Sequence, residues 1–243
     1  YSGLTSAELH SDTAVSNFKT IFTNCLSSIT TVTIGDGVTE IGSSSFRDFA
    51  TLTSVNIDSE VIRIAESAFY GCSQLQSITI PDSVTSIGSS AFKECNGLTS
   101  ITINSRITSI ANEVFYGCSG LTSITIPDGV TSIGNSAFYD CSSLTSITIP
   151  NDVTSIGGNA FRGTQLTSIK LPDNLQTIGT QAFYEAKLTR VDFPQSLKTI
   201  GTFAFYNMAS LTTVTFGDGL TSIGEGAFHT TGITSINLPD SLN

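Results

Sequence analysis

The sequence has no tryptophan, one methionine and two histidines, and only 12% of its 243 residues are charged. The histidines, His10 and His229, have no cysteine, serine or aspartate at a spacing that catalytic triads use. Phosphate-binding loops, the His-Glu-x-x-His zinc pattern and the Gly-x-Ser-x-Gly nucleophile pattern are also missing. The sequence therefore predicts a protein that is not an enzyme and that uses no cofactor.

Positive charge is scarce, with ten basic residues against twenty acidic ones and a net charge of -10. This balance disfavours nucleic acid or an anionic membrane as a partner. No apolar run approaches the roughly 18 residues that a membrane span needs, so we expect no membrane insertion. The chain is nevertheless 39% hydrophobic, which is too apolar for disorder and sufficient for an extensive core.

What the sequence does have is an internal repeat of 22 or 23 residues that runs nearly end to end. Each repeat opens on a leucine or isoleucine, at Ile29, Leu52, Leu75, Leu98, Leu121, Leu144, Leu166, Leu188, Leu211 and Ile233. A period of this size indicates stacked units that cannot bury their apolar faces alone.

Residues 121–143 illustrate one repeat. Strand alternation predicts that Ile124 and Ile126 face inward, and Pro127 ends the strand because it has no N–H to donate. After a short second apolar segment, residues 135–141 are interpreted as one or two helical turns. Each repeat is thus predicted to form one coil made of a strand, a turn, a short extended segment and a helical turn.

Two neighbouring columns appear when the repeats are superposed. The first, here called the Phe spine, comprises Phe46, Phe69, Phe92, Phe115, Phe138, Phe161, Phe183, Phe205 and Phe228. A buried stack of rings is its simplest explanation. The next residue of each repeat gives the second column, here called the aromatic row: Arg47, Tyr70, Lys93, Tyr116, Tyr139, Arg162, Tyr184, Tyr206 and His229.

The run LTSITIPDSVTSIGSSAFxxCSS, found with small changes at residues 75–97, 98–120 and 121–143, closely resembles the BspA-like leucine-rich repeats. The resemblance covers residues 29–243. It implies an α/β repeat fold, a curved leucine-rich-repeat solenoid with a strand ladder on one face and short strands and helical turns on the other. It also implies the family's usual role in adhesion or binding of host proteins, and it carries over no catalytic residues.

Residues 1–28 depart from the repeat pattern, and we interpret them as a degenerate repeat that caps the N-terminal end of the solenoid. Residues 4–9 are similar to the first strand of a repeat. Between them and the first regular repeat, Val15, Phe18 and Ile21 have helical spacing.

Residues 29–243 are predicted to form the solenoid of 22–23-residue repeats. The chain begins without methionine and stops inside a repeat at Asn243. We therefore expect a piece of a longer protein, truncated at its C-terminal end.

Four of the five cysteines recur at the repeat period: Cys72, Cys95, Cys118 and Cys141. Phe49 and Met208 occupy the same position in other repeats, so the position accepts apolar side chains and predicts free, buried thiols. A column of aspartates at the turns suggests calcium, but Ser, Asn and Gln interrupt the column and leave too few hard ligands. No metal site is predicted.

Two surfaces are candidate binding sites. The outward residues of the first strands, here called the strand face, are mostly Ser and Thr, and this pattern breaks at a charged patch: Ser168, Lys170, Arg190 and Asp192. Charges set into a neutral sheet fix the register of a partner. The other candidate is the aromatic row, with Tyr70, Tyr116, Tyr139, Tyr184 and Tyr206. Tyrosine and arginine are enriched at interface hot spots, although such rings also simply cover the adjacent coil.

These features predict a non-enzymatic module, secreted or at the cell surface, that binds or adheres to a protein such as a host extracellular-matrix or surface protein. The alternative is a structural spacer within a larger surface protein, because residues 75–150 are nearly uniform. A third hypothesis is ice binding through the Ser/Thr ladders, against which Asn56, Lys170, Asp192 and Asn237 interrupt the rows.

Overall fold

The computed structural model describes residues 3–242, so Tyr1 and Ser2 of the predicted cap and Asn243 of the predicted solenoid lie outside the described residues. The chain forms a curved leucine-rich-repeat solenoid of parallel strands with about nine turns. Where strands pair, each residue pairs with its equivalent one repeat later, as Ser123 does with Ser146. The predicted stacking of coils is confirmed.

The first strand of each coil contributes to the strand face. These strands are Ser6–Leu9, Thr31–Ile34, Ser54–Ile57, Ser77–Thr79, Ser100–Thr102, Ser123–Thr125, Ser146–Thr148, Arg190–Asp192 and Thr213–Thr215. The first five form one sheet, and the last four form two separate pairs. Residues 168–170 have no strand, so our expectation that Lys170 and Arg190 lie on neighbouring strands was wrong.

A second set of two-residue strands builds another side of each coil. They are Glu40–Ile41, Arg63–Ile64, Ser86–Ile87, Ser109–Ile110, Ser132–Ile133, Ser155–Ile156, Thr177–Ile178, Thr199–Ile200 and Ser222–Ile223. Their isoleucines point into the core, except that Ile223 in the last pair is only partly buried. The predicted short strands opposite the ladder are therefore present.

The predicted helical turns do not form, so the α part of the predicted α/β fold is wrong for the repeats. In residues 135–141, Ser136 and Asp140 have φ of +53° and +52°. The N–H of Phe138 donates to the carbonyl of Ala160 in the next coil over 2.8 Å. Because alternate N–H groups are used between coils, they are not free for the bonds to residue i−4 that an α-helix requires.

The Phe spine forms the centre of the core. Its rings stack from coil to coil with centroids 5.1 to 5.8 Å apart. From Phe46 to Phe205 every ring in the column is 0% exposed, and Phe228 near the C-terminal end is partly buried. Phe18 lies 4.9 Å from Phe46 and extends the aromatic core into the N-terminal segment.

The cysteine column lies beside the Phe spine, and all five cysteines are free and buried, as was predicted for the four that recur at the repeat period. The Sγ of Cys95 donates to the carbonyl of Phe69 over 3.1 Å, and the other three repeat cysteines make the equivalent bond. Burial raises the pKa of the Cys72 thiol to about 12. The four repeat thiols, whose pKa values burial raises, are therefore protonated at neutral pH and packed as apolar side chains.

The N-terminal segment contains the helices of the described chain, α1 (Asp12–Ser16) and α2 (Phe18–Ile21). Val15 and Phe18 are buried as their spacing predicts, whereas Ile21 is 56% exposed. Strand Ser6–Leu9 pairs in parallel with the first regular strand and continues the ladder. We propose that residues 1–28 act as the cap.

Asp12 ties this segment to the first regular coil. Its Oδ1 accepts hydrogen bonds from the N–H groups of Thr39 at 2.8 Å and Glu40 at 3.0 Å. The bond from the Glu40 N–H is the main reason that the Asp12 pKa is lowered. Helix α1 is capped by Ser11, whose Oγ accepts from the N–H of Ala14.

Candidate binding surfaces

The charged patch on the strand face is centred on an ion pair between Arg190 and Asp192. The Nε of Arg190 lies 2.8 Å from Oδ2 of Asp192, and its Nη2 lies 2.8 Å from Oδ1. Thr215 also donates to Asp192. The hydrogen bond from Arg190 is the largest cause that lowers the pKa of Asp192, and the bond from Thr215 is the second. The two charges largely neutralise each other.

Lys170 has a different environment from Arg190. It lies beside a hollow of about 390 Å³ that Asp173, Asp192 and Phe193 also line. Within residues 3–242 no carboxylate comes within 4.0 Å of its Nζ. The structure thus brings Lys170 and Asp192 of the charged patch to one hollow, while Ser168 is exposed and does not line it.

The aromatic row forms a stack on the turn side of the solenoid. At its N-terminal end, Arg47 lies 4.3 Å above the ring of Tyr70. Lys93 follows, with its Nζ 5.9 Å from the Tyr70 ring and 4.4 Å from the Tyr116 ring. Tyr116 and Tyr139 then stack with centroids 4.6 Å apart and planes within 1°.

The stack continues toward the C-terminal end. Arg162 lies 5.4 Å from the Tyr139 ring and 4.2 Å from the Tyr184 ring. Tyr184 stacks on Tyr206 at 5.0 Å, and Tyr206 stacks on His229 at 5.5 Å. All nine members of the aromatic row therefore touch in sequence along the solenoid.

The five tyrosines are half-buried rather than fully outward-facing, because neighbouring rings or cations of the row cover them. Burial raises the pKa of the Tyr116 hydroxyl, with the neighbouring Tyr139 as a second cause. Tyr70 donates its hydroxyl to Oε1 of Glu94 over 3.2 Å. The rings thus cover the adjacent coils, which was one of the two interpretations of the aromatic row, and still present an edge to solvent.

An acidic border runs along the aromatic row, two residues after each phenylalanine. Its carboxylates are Asp48, Glu94, Asp140 and Glu185, with Gly71, Gly117 and Gly163 between them. All seven residues have positive φ. A Cβ at Gly71 or Gly163 would clash with the Oδ1 of Asp48 or Asp140 respectively, so these two glycines leave room for the carboxylate of the preceding coil.

Sequence reasoning missed Phe203, which lies two residues before Phe205 in the Phe spine. With Gln181, Tyr184, Tyr206 and His229 it lines a hollow of about 360 Å³, here called the aromatic hollow. The signal was present in the sequence, because the equivalent position in other repeats carries Ser, Glu, Asn, Gln or Gly.

In residues 3–242 no group of three or more His, Cys, Asp or Glu is arranged to bind a metal ion. His10 contacts Asp36 and Glu8 at the exposed end of the strand face, and the hydrogen bond that the Asp36 carboxylate accepts from its Nδ1 raises the pKa of His10. The two short helices of this part are far from the length that a membrane crossing requires.

Parallel strands stacked in register around an apolar spine define a leucine-rich-repeat solenoid. The family model described as "BspA type Leucine rich repeat region" matches six copies over residues 17–145 and 131–243. The chain belongs to this BspA-type leucine-rich-repeat family.

Solved structures of other leucine-rich repeat proteins share the fold. A leucine-rich repeat protein from Bacteroides ovatus is 25% identical, with a TM-score of 0.65 over 89% of this chain and 74% of that one. A leucine rich cell surface protein from Faecalibacterium prausnitzii is 28% identical, with a TM-score of 0.61 over 87% of this chain and 76% of that one.

The pneumococcal vaccine antigen PcpA is similar in fold alone. It is 22% identical, with a TM-score of 0.62 over 88% of this chain and 57% of that one. None of the curated protein sequences is similar enough to this chain to serve as a relative.

Proposed function

We propose that this chain is a non-enzymatic protein-binding module that works at a cell surface or after secretion. The aromatic row is the observation that carries the proposal. Five half-buried tyrosines and three cations form one continuous stack, and residues of these types contribute most of the binding energy at protein interfaces. Because stacking already fixes their rotamers, they lose little conformational entropy when a partner binds.

The family supports the location and the partner class. The Faecalibacterium prausnitzii relative is described as a cell surface protein. Repeat solenoids present extended surfaces that suit large ligands, which favours a protein partner such as a host matrix or surface protein.

The charged patch is the competing surface. Asp192 neutralises Arg190, so Lys170 is the one cation of the charged patch without an ion pair within the described residues. An exposed pair of this kind contributes to selectivity more than to affinity. We therefore assign the main contact to the aromatic row and a secondary one to the charged patch.

A pull-down from host matrix and serum proteins tests the proposal with two variants. Tyr116→Ala with Tyr139→Ala should weaken capture about tenfold or more, equal to about 1.4 kcal/mol, whereas Tyr116→Phe with Tyr139→Phe keeps both rings and should retain most of it. Lys170→Glu with Arg190→Glu should have the smaller effect. Capture that is lost only with the charge reversals would move the interface to the strand face, and no capture by the unmodified chain would reject the binding role.

A further inference from the structure

We propose that Tyr116 and Tyr139 form a site of oxidative modification, at which a one-electron oxidant joins their two rings as a dityrosine cross-link. The inference goes beyond the proposed binding role and does not depend on it. It rests on the geometry of this ring pair, on the cations that cover the outer faces of the two rings, and on the access of their edges to solvent.

The two rings are held face to face. Their centroids are 4.6 Å apart and their planes differ by 1°, which makes this the closer and more parallel of the two tyrosine stacks in residues 3–242. The backbone fixes the spacing beside the rings, because the N–H of Gly117 donates to the carbonyl of Tyr139 over 2.7 Å. The two phenols are therefore in contact before any reaction and need no diffusional encounter.

Face-to-face stacking suits the coupling of two tyrosyl radicals. Each phenol gives one electron and one proton to the oxidant, and the unpaired electron then spreads over the oxygen and the ring carbons ortho to it. The orbitals that carry this electron point out of the ring plane, so in a stack they point at the neighbouring ring. A carbon–carbon bond between one ortho carbon of each ring therefore forms across the gap.

The reaction balances with hydrogen peroxide and a haem peroxidase as the oxidant. The hydrogens on the two newly bonded carbons move to the phenolic oxygens and restore both aromatic rings. In total, two tyrosines and one peroxide give one dityrosine and two waters. Restoring the rings brings the new bond into both ring planes, so the rings must splay apart. Tyr116 and Tyr139 are only half-buried, and their solvent edge leaves room for this movement.

Cations isolate the pair from other phenols. On the side away from Tyr139, the Nζ of Lys93 lies 4.4 Å from the Tyr116 ring, and Glu113 holds that Nζ at 2.6 Å. On the side away from Tyr116, Arg162 lies 5.4 Å from the Tyr139 ring. Neither cation can couple with a phenoxyl radical. Each radical of the pair thus has one neighbour with which to combine.

The other tyrosines of the row provide internal comparisons. Tyr70 lies between Arg47 and Lys93 and has no tyrosine beside it, so it should not couple within the chain. Tyr184 and Tyr206 stack at 5.0 Å with planes 20° apart, and they should couple in lower yield than the closer, parallel pair.

The product is a covalent tie between adjacent coils. It joins two positions 23 residues apart, so it would restrict the unfolded chain in the way that a disulfide does. The five cysteines of this chain are free and buried, and none of them supplies such a tie.

The test treats the dilute purified chain with hydrogen peroxide and a haem peroxidase. Dityrosine fluorescence follows the reaction, and mass spectrometry after cleavage at aspartates locates the bond, because Asp128 separates the two tyrosines. We expect the peptides that carry Tyr116 and Tyr139 to be joined within one chain and to be two hydrogens lighter than their sum. The chain in urea is the matched control, and it should show no preference for this pair.

Two variants connect the cross-link to the stack. Tyr116→Phe keeps the ring but removes the hydroxyl that the oxidant attacks, so this cross-link and most of the fluorescence should be lost. Tyr70→Phe removes a phenol that has no tyrosine neighbour and should leave the cross-link unchanged.

Four results would overturn the inference: undiminished fluorescence in Tyr116→Phe, a preferred bond between Tyr184 and Tyr206, coupling only between separate chains, or the same cross-links in the folded and the urea-treated chain. The experiment contains no partner protein, so its outcome is independent of the pull-down that tests the proposed function.

Discussion

The Phe spine and the aromatic row are adjacent columns with nearly the same stacking geometry and opposite surroundings. Ring contacts repeat at 5.1 to 5.8 Å in the Phe spine, and neighbouring rings of the aromatic row lie 4.6 to 5.5 Å apart. The spine never changes residue type, whereas the row alternates tyrosine with arginine, lysine and histidine. Stacking of rings alone therefore does not make a hydrophobic core. The rings of the Phe spine form one because protein surrounds the column and excludes water from it.

The turn backbone explains why neighbours have such different roles. The N–H of Phe138 bonds to the next coil, whereas the N–H of Tyr139 bonds back to the carbonyl of Ser136 over 3.2 Å within its own coil. This alternation points successive side chains to opposite sides. The inner column carries the fold, and the outer column is free to vary.

The strongest test of the comparison is a pair of alanine substitutions one residue apart. Phe138→Ala should lower the free energy of unfolding by about 3–5 kcal/mol, because it opens a cavity in a fully buried stack. Tyr139→Ala should cost less than about 1.5 kcal/mol, since its ring is half-exposed. Chemical denaturation measures both, and similar losses for the two variants would show that the columns are not functionally distinct.

The thiol column predicts a smaller effect within the core. Cys95→Ala should lower the free energy of unfolding by about 1 kcal/mol, through a cavity of roughly one methylene and the loss of the bond to the Phe69 carbonyl. Cys95→Ser keeps a donor and serves as the control.

Thiol reactivity gives an independent measurement on the same column. Because burial raises the pKa of Cys72 to about 12, the folded chain should not react with a bulky thiol reagent near neutral pH, and all five thiols should react after denaturation. Rapid labelling of the folded chain, or cross-linked cysteines in mass spectrometry, would contradict the buried column.

Within the aromatic row, ring pairs should contribute a measurable but modest coupling. A double-mutant cycle with Tyr116→Ala and Tyr139→Ala should give about 0.5–1.5 kcal/mol, as expected for an aromatic pair beyond its buried area. The matched cycle with Tyr116→Ala and Tyr206→Ala joins rings that do not touch and should give a coupling near zero. Equal couplings would mean that the row does not act through direct contacts.

The smallest expected effect comes from the cations. Arg162→Gln should lower the free energy of unfolding by about 0.5–1 kcal/mol, the range for cation–π contacts at exposed sites. Arg162→Lys keeps the charge and should recover part of the loss. A loss well above that range would show that Arg162 is a packing residue of the core rather than a member of an adaptable surface.

Sequence reasoning succeeded where one residue type recurs at one position. The period gave the coils, strand alternation gave the buried faces of Ile124 and Ile126, and the exchange of cysteine with Phe49 and Met208 gave the free thiols. These properties are local to a column. They are therefore visible without knowing how coils bond to each other.

The prediction of helical turns was wrong because of hydrogen bonds between coils. The segment around Phe138 has helical spacing, but its N–H groups bond to the next coil, and no local propensity reveals that choice. Serine and aspartate occupy positions with positive φ in these turns, where a glycine would have indicated the left-handed backbone in the sequence. Arg190 and Asp192 pair with each other because, two residues apart on one strand, they face the same side, and their role in binding a partner stays a prediction.

Where repeats pair through strands, the pairing is in register, and this has a consequence for how such a gene evolves. Because equivalent residues stack on each other, as in the pairing of Ser123 with Ser146, duplicating or losing one whole repeat leaves every remaining column intact. Unequal recombination between similar segments, such as those that encode residues 98–120 and 121–143, would then change the length of the protein by whole coils while keeping the core continuous.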